Sequence, residues 1–246
     1  MTEDEKILIQ KFRLLKDKGI VESVINYKHG SGITLEKFLG ANAGDFPIPD
    51  FRDIELKAVR EYPYANITLF NSGPDGSYVC STQWLAEEFG YPDKDYRDIN
   101  VLQSSVRGTE FNKVGLFYFF SLRIDRKRER IILNIYGQDK KLISEDIYWD
   151  FDTLEEKLKR KVSKLAIVDV RTYYSGGKYY FLYDRIRLYH LKSFDIFVDM
   201  IEKGIVYITF GVGIVKSGKY KGKLRDHGTS FMIQKNNLDK LFKRIY

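Results

Sequence analysis

The chain has 246 residues, of which 43% are hydrophobic and 30% charged. This length and composition suit one compact domain or two closely packed lobes and exclude a mainly disordered protein. Its 41 basic residues outnumber its 34 acidic ones, for a formal net charge of +7, which favours an anionic partner, either nucleic acid or an anionic membrane surface. The one cysteine excludes a disulfide framework and a thiolate-rich zinc site.

Nothing in the sequence predicts export or membrane insertion. The amino terminus is polar and acidic and does not resemble a signal peptide. The longest apolar run, 114–120, is far shorter than the about 20 residues that span a bilayer. Since no strongly basic amphipathic helix is apparent, we expect an intracellular protein whose anionic partner is not a membrane.

The first predicted elements carry local signals. Thr2 and Glu5 have the spacing of a helix capping box, and Gly19 ends that helix. Thr34 predicts the cap of a short second helix. The segment 51–59 alternates between polar and apolar residues, as a strand does.

The later elements alternate irregularly between strands and helices. In chain order we predict strand 67–70, helix 82–89, strands 115–124 and 130–136, helix 152–161, strands 165–170 and 178–186, helix 193–203, strands 205–215 and 230–233, and helix 237–244. Strands and helices interleave without a regular βαβ repeat, so the sequence favours a mixed α/β, or α+β, fold.

The strongest candidate for chemistry lies at the beginning of the strand predicted over 51–59. Asp50 and Glu55 can share a hard divalent cation, with the Leu56 carbonyl as a further oxygen ligand. Lys57 projects from the same strand face as Glu55 and can orient the attacking water or offset phosphorane charge. Glu36, on the preceding helix, can add another carboxylate.

The same spacing between an acidic residue and a lysine also has explanations that involve no catalysis. It recurs at 4–6, 125–127, 139–141 and 155–157, in segments where solvated charge explains it. Asp53 is a rival for the first carboxylate, because it lies on the same predicted strand face as Glu55.

A second candidate is the basic, glycine-rich segment 215–230. Its lysines suit contacts with phosphates, and the polar residues that follow them suit contacts with base edges. The residues expected to contact DNA here are Lys216, Lys219, Lys221, Lys223, Arg225, Asp226, His227 and Thr229. A solvated hairpin tip is an equally good explanation of this segment. A DNA-binding module without catalysis is a further alternative for the whole chain, but the intact acid–lysine group argues against it.

Two separated blocks, in the same order, resemble one enzyme family. Residues 30–40 (GSGITLEKFLG) with 49–57 (PDFRDIELK), and then 222–231 (GKLRDHGTSF), are similar to the MvaI/BcnI-type restriction endonucleases and their mismatch-repair relative MutH. Residues 60–200 show a weaker likeness, mainly at 147–152. The resemblance implies a PD-(D/E)XK nuclease fold, with a catalytic lobe and a recognition lobe that clamp double-stranded DNA.

The resemblance also implies roles for particular residues. Glu36, Asp50, Glu55 and Lys57 take the catalytic positions, with Mg²⁺ as the cofactor and 5′-phosphate ends as the product. We expect Lys28 and His29, in the loop before the first block, to contact DNA. Tyr207 and Thr209 are expected to point outward toward the major groove. Relatives have charged residues that contact the bases at these positions, so the DNA sequence that they recognise cannot be assumed for this chain.

The expected protein is therefore a type II restriction endonuclease in the cytoplasm of a prokaryote. It is expected to act as a monomer beside a cognate DNA methyltransferase. Residues 1–150 are expected to form mainly the catalytic lobe and 151–246 mainly the recognition lobe. The alternative is a MutH-like repair enzyme that nicks one strand on a partner's signal.

Overall fold

The structure is a computed structural model that describes residues 1–41, 48–62, 64–75 and 81–246. Its helices are α1 (Glu3–Asp17), α2 (Ser31–Leu39), α3 (Thr82–Phe89), α4 (Phe151–Val162), α5 (Phe194–Glu202) and α6 (Leu238–Leu241). Its strands are β1 (Ile20–Glu22), β2 (Glu55–Arg60), β3 (Asn66–Asn71), β4 (Tyr91–Pro92), β5 (Asn100–Val106), β6 (Asn112–Val114), β7 (Tyr118–Asp125), β8 (Arg130–Tyr136), β9 (Leu142–Asp150), β10 (Lys164–Ser175), β11 (Lys178–Leu191), β12 (Val206–Ile214), β13 (Leu224–Gln234) and β14 (Phe242–Arg244). The predicted mixed α+β class is confirmed. Within these ranges no helix has the length and hydropathy needed to cross a membrane.

Two compact units are each assembled from separated stretches of sequence. Unit 1 contains Met1–Ile67, Leu158–Ser193 and Gln234–Tyr246, and unit 2 contains Thr68–Lys157 and Phe194–Ile233. The chain thus passes from one unit to the other at 67/68, 157/158, 193/194 and 233/234, and not once near residue 150 as the sequence predicts. The physical reason is that hydrogen-bonded neighbours in the sheet of unit 1 come from distant parts of the chain.

The sheet of unit 1 has the strand order β1–β11–β10–β2, and β14 also pairs with β11. β10 and β11 form a long antiparallel hairpin whose turn holds Gly176 and Gly177 at positive φ. β2 runs parallel to β10, with Glu55 opposite Leu165. β10 has a neighbour on each side and is buried from Leu165 to Val170, as the nearly continuous apolar sequence there requires.

Helices α1 and α2 cover one face of this sheet and complete its core. Their buried residues recur at helical spacing and share a cluster with Leu56 and Phe181 of the sheet. The helix residues concerned are Leu8, Ile9, Phe12, Leu15, Leu35 and Leu39. This packing fixes the beginning of β2, where the candidate catalytic residues lie.

Unit 2 contains the sheets β3–β13–β12–β5–β4 and β6–β7–β8–β9. β12 and β13 pair antiparallel as far as Ile214 opposite Leu224, so 215–223 is the tip of a hairpin, and the second strand begins at Leu224, before the predicted 230. A bulge interrupts this pairing, because Phe210 pairs with Thr229 but Val212 pairs with Asp226. Such a bulge bends a strand and changes the direction of nearby side chains.

Several local predictions differ from the structure. Thr34 does not cap the second helix, which begins at Ser31; Thr34 is buried within it and accepts a hydrogen bond from the Val24 amide. The terminal helix predicted over 237–244 is shorter, because the chain turns extended to pair with β11 as β14. The sequence predicts no strand at β9, because six of its first seven residues are exposed or half-buried and show no regular alternation.

Candidate active site

A tight turn before β2 brings the candidate carboxylates together. The backbones of Phe51 and Ile54 bond to each other in both directions, at N···O distances of 2.9 and 2.8 Å, and both side chains are buried. The turn folds Asp50 back onto the strand, where its Oδ2 accepts the Leu56 amide at 2.9 Å. The residues between Asp50 and Glu55 therefore form this turn, and β2 begins directly after it.

Glu55 is fully buried at the beginning of β2. Its Oε1 lies 2.5 Å from the Nζ of Lys57, so the predicted pair on one strand face is formed. Burial raises the pKa of the Glu55 carboxyl above its ordinary value, and the ammonium group of Lys57 offsets only part of that effect. The site thus holds a desolvated carboxylate beside a partly exposed lysine.

A second lysine reaches the same carboxylates from the end of α4. The Nζ of Lys161 lies 2.9 Å from Glu55 Oε2 and 3.8 Å from Asp50 Oδ1. It also donates a hydrogen bond to the Ile48 carbonyl at 2.8 Å. The contact with Oε2 is an ion pair, but no donor within the described residues gives that oxygen a well-aligned hydrogen bond.

Asp53, the rival carboxylate, lies outside this group. Its side chain is 53% exposed and pairs with the Nζ of Lys164 at 2.5 Å. The turn from Phe51 to Ile54 directs Asp53 toward solvent and Asp50 toward β2. The geometry therefore favours Asp50 over Asp53 as the partner of Glu55.

Glu36 is half-buried on α2. Burial raises the pKa of the Tyr183 hydroxyl, and the nearby charge of Glu36 raises it further, which places Glu36 beside that ring. Across the described residues no three acidic, histidine or cysteine side chains converge on one point as a preformed metal cage. The expected third carboxylate is therefore not assembled with the first two.

The donor set at the start of β2 nevertheless fits a hard divalent cation. Asp50, Glu55 and the Leu56 carbonyl supply only oxygen, which Mg²⁺ prefers. Glu55 Oε2 is a buried acceptor without a well-aligned hydrogen bond from any described residue, and a bound cation would satisfy it. Two protein carboxylates are also a usual number for Mg²⁺, which keeps several waters.

Lys28 and His29 are exposed in the loop before α2. His29 lies against the Tyr27 ring, with centroids 5.4 Å apart. Lys28 lines an open cavity of about 550 Å³ in unit 1, together with basic and tyrosine side chains from the ends of β2, β10 and β11. The other lining residues are Arg60, Glu61, Val170, Arg171, Thr172, Tyr173, Tyr174 and Tyr179.

In unit 2, two expected DNA-contacting side chains are buried. Tyr207 does not point outward: only 1% of it is exposed, and the Arg107 guanidinium lies 3.7 Å from the centre of its ring. Thr229 is also 1% exposed and shares a hydrogen bond with Thr82 at 3.0 Å. The outward orientation expected for Tyr207 is wrong because that face of β12 packs inside the unit.

The remaining residues of the hairpin differ in their surroundings. Thr209 is half-buried and donates to the Met232 sulfur at 3.4 Å. Lys216 pairs with Asp93 and, at 3.0 Å, with Asp95. Asp226 accepts the amide of Gly228 at 2.6 Å and so shapes its own turn. The exposed members of the predicted set are Lys216, Lys219, Lys221, Lys223, Arg225, Asp226 and His227.

Known proteins share both this fold and this sequence pattern. The model of the MvaI/BcnI restriction endonuclease family matches residues 9–242. The chain belongs to this family. One solved structure, restriction endonuclease MvaI with its cognate DNA substrate, matches with a TM-score of 0.90 at 26% identity, covering 100% of this chain and 98% of that one. MvaI in the absence of DNA matches with a TM-score of 0.63, at the same identity and coverage. No curated protein matches the chain.

The chain is therefore a type II restriction endonuclease, a site-specific DNA nuclease, and the MutH-like alternative is not favoured. Members of this family typically use a divalent metal. The expected family and fold are both confirmed.

One residue of the site escaped prediction. Lys161 stands in a basic stretch of α4 that also contains Lys157, Lys159 and Arg160. Sequence alone gives no reason to place one of these four at the site, because which of them reaches the carboxylates depends on how the helix ends against β2. The helical period could have shown only that Lys157 and Lys161 share a face.

Proposed function

We propose that this endonuclease hydrolyses phosphodiester bonds of double-stranded DNA with Mg²⁺, held by Asp50, Glu55 and the Leu56 carbonyl. The observation that carries the proposal is the group formed by the buried carboxylates of Asp50 and Glu55 with the partly exposed Lys57 at the beginning of β2. Mg²⁺ bound there would supply Lewis-acid activation of the scissile phosphate and of the attacking water.

The protein residues have separate tasks in this proposal. Asp50 is oriented by the Leu56 amide, which leaves its Oδ1 for a cation. Lys57 is partly exposed, at 30% of its side chain, so its ammonium group can reach the substrate, position the attacking water and offset charge on the phosphorane. We assign Glu36 an accessory part, as a charge on α2 outside the first group of ligands.

Unit 1 is the proposed catalytic lobe and unit 2 the proposed recognition lobe. The exposed lysines of the β12–β13 hairpin, Lys219, Lys221 and Lys223, suit contacts with phosphates, and Arg225 and His227 suit contacts with base edges. In unit 1 the cavity lined by Lys28 and Arg60 suits the DNA backbone. The cognate DNA complex of the MvaI structure supports a duplex as the partner.

We further propose that the enzyme acts as a monomer and that a cognate DNA methyltransferase protects the host. A single chain already contains both the acid–lysine group and the basic hairpin. Hydrolysis is proposed to leave 5′-phosphate ends, as the family resemblance implies.

The test is digestion of a mapped plasmid by the wild-type chain, Asp50→Asn, Glu55→Gln and Asp53→Asn. With Mg²⁺ we expect fixed fragments from the wild type and from Asp53→Asn, whose carboxylate faces solvent. Asp50→Asn and Glu55→Gln should lose at least about 1,000-fold in rate, because each removes a charged ligand. Both should retain DNA binding, measured by gel shift in Ca²⁺.

Sequencing of the fragment ends gives the site and the end chemistry. Equal cleavage in EDTA and in Mg²⁺ would contradict the metal proposal. An inactive Asp53→Asn together with an active Asp50→Asn would transfer the role of first carboxylate to Asp53.

A further inference from the structure

Lys161 lies at the candidate cation site, where it donates a hydrogen bond to one carbonyl and forms ion pairs with two carboxylates. Its Nζ lies 2.8 Å from the Ile48 carbonyl, 2.9 Å from Glu55 Oε2 and 3.8 Å from Asp50 Oδ1. Only 17% of the side chain is exposed. A lysine at the end of a helix usually extends into water, so this enclosed position calls for an explanation.

The oxygens that Lys161 approaches are the ones that remain for a cation. Asp50 Oδ2 already accepts the Leu56 amide, and Glu55 Oε1 already accepts Lys57. The other oxygen of each carboxylate faces Lys161. The ammonium group therefore lies where a cation shared by the two carboxylates would lie.

Charge balance explains why a lysine should be there. Two buried carboxylates side by side repel each other strongly when water is excluded. Lys57 and Lys161 together supply two positive charges against these two negative charges. A divalent cation that entered while Lys161 stayed would add two more positive charges at ammonium distance, which is unfavourable.

We propose, on the basis of the function proposed above, that Lys161 occupies the divalent-cation position in the metal-free enzyme and must leave it for the cation to bind. Lys161 then keeps the Asp50–Glu55 pair assembled when no metal is present. It also weakens metal binding, because the cation competes with the ammonium group for the same two oxygens.

The test measures Mn²⁺ binding to the full chain without DNA, by the electron paramagnetic resonance signal of free Mn²⁺. Lys161→Met should bind Mn²⁺ about ten-fold or more tightly than the wild type, since a competing occupant is removed. Lys164→Met is the matched control, because Lys164 carries the same charge nearby but pairs with the exposed Asp53. It should bind Mn²⁺ like the wild type.

Two results would overturn the inference while leaving the metal proposal intact. One is an equal gain in Mn²⁺ affinity in Lys161→Met and Lys164→Met, which would mean that only the overall positive charge near the site affects binding. The other is weaker Mn²⁺ binding in Lys161→Met, which would mean that Lys161 helps to hold the metal ligands in place and does not compete with the metal. If Glu55→Gln binds Mn²⁺ as tightly as the wild type, the metal site itself is misplaced and both proposals fail.

A measurement on the wild-type chain covers the case in which Lys161→Met does not fold. The ¹⁵Nζ resonance of Lys161, assigned with Lys161→Arg, should shift during a Mg²⁺ titration at the concentration at which Mg²⁺ binds. The resonance of Lys164 should stay in place. A Lys161 resonance that is unchanged at saturating Mg²⁺ would show that the ammonium does not move and would overturn the inference.

Discussion

At the scale of single residues, short-range patterns predicted what depends only on neighbours in sequence. The capping box of Thr2 and Glu5 is present, with the Thr2 amide donating to Glu5 at 2.6 Å. The structure adds a partner 185 residues away, His190, whose Nε2 lies 2.5 Å from Glu5 Oε1. A local rule found the cap, but only tertiary packing explains why Glu5 is 1% exposed.

This cluster predicts a pH-dependent stability. Burial raises the pKa of Glu5, but hydrogen bonds from His190 and Thr2 outweigh it, so the net pKa lies below the ordinary value of 4.5. A lowered carboxyl pKa gives stability that is present above the unfolded pKa and is lost as the pH falls through the folded pKa. Glu5→Gln should therefore cost about 1–2 kcal/mol in the free energy of unfolding at pH 7.

The difference between wild type and Glu5→Gln should shrink toward zero near pH 3, in urea denaturation followed by circular dichroism. Glu3→Gln is the control, because Glu3 is exposed and pairs only at the surface with Lys6. A Glu5→Gln deficit that stays constant from pH 7 to pH 3 would indicate lost packing and not lost charge.

A second prediction concerns a buried ion cluster in unit 1. Asp169 is 2% exposed and lies 2.5 Å from Arg187 Nη2 and 2.6 Å from Lys235 Nζ. Asp169→Ala would leave two poorly hydrated cations unpaired, so it should destabilise the protein by about 3–5 kcal/mol. Asp184→Ala on β11 should cost less than about 1 kcal/mol, because its pairs are longer and more exposed.

Urea unfolding of both variants at one pH measures this contrast. The cluster matters beyond its own strand, since Lys235 belongs to the last segment of the chain and Asp169 to the middle of the sheet. Equal losses in the two variants would mean that the burial of Asp169 does not set its contribution.

At the scale of elements, the sequence was most reliable for a helix with one buried face, α3, and for a strand whose apolar run is buried continuously over residues 131–135, β8. Helix α3 and strand β8 have the predicted bounds. β10 runs beyond its predicted end because its part of the hairpin carries exposed tyrosines and polar residues that lack a core pattern. β11 continues past its predicted end to Leu191 because it pairs there with the beginning of β10 and with β14. The grouping of Asp50 with Glu55 was predictable because only one short turn separates these residues in the sequence. The position of Lys161 and the burial of Tyr207 were not, because they depend on which faces of distant helices and strands pack together.

The β12–β13 hairpin gives a prediction about DNA binding. Lys216 was expected to act like its neighbours, but it pairs with Asp93 and Asp95 and lies 5.1 Å from the Tyr96 ring centre. The hydrogen bond from Lys216 holds the pKa of Asp93 below its ordinary value. Lys221→Ala should lower the salt dependence of DNA affinity by about one unit of slope, and Lys216→Ala by less than about half a unit.

Fluorescence anisotropy with random duplex DNA, at four salt concentrations and without a catalytic metal, measures both slopes. Lys219→Ala is the positive control, because Lys219 lies at the exposed hairpin tip. If Lys216→Ala flattens the slope as much as Lys221→Ala, Lys216 exchanges its acidic partners for DNA phosphates on binding.

At the scale of the whole molecule, the sequence predicted two lobes but could not place their boundaries. Composition hardly changes along the chain, and no linker rich in proline, glycine or serine separates the units. What divides the molecule is the pairing of β2 with β10 and of β1 with β11, which joins residues 110 or more positions apart. Hydrophobic periodicity describes each strand but not which distant strand it will pair with.

This interleaving predicts that residues 1–150 do not form an independent catalytic lobe. The fragment would contain Asp50, Glu55 and Lys57, but it would lack β10 and β11, to which β2 and β1 pair. We therefore expect amides in 55–60 to lose protection in hydrogen exchange, and we expect no cleavage of plasmid DNA. Full-length protein nicked at the exposed Gly176–Gly177 turn is the control, since it keeps every strand and should retain that protection. A fragment 1–150 with protected 55–60 amides would show that β2 can form without β10, and that the first 150 residues fold as one lobe.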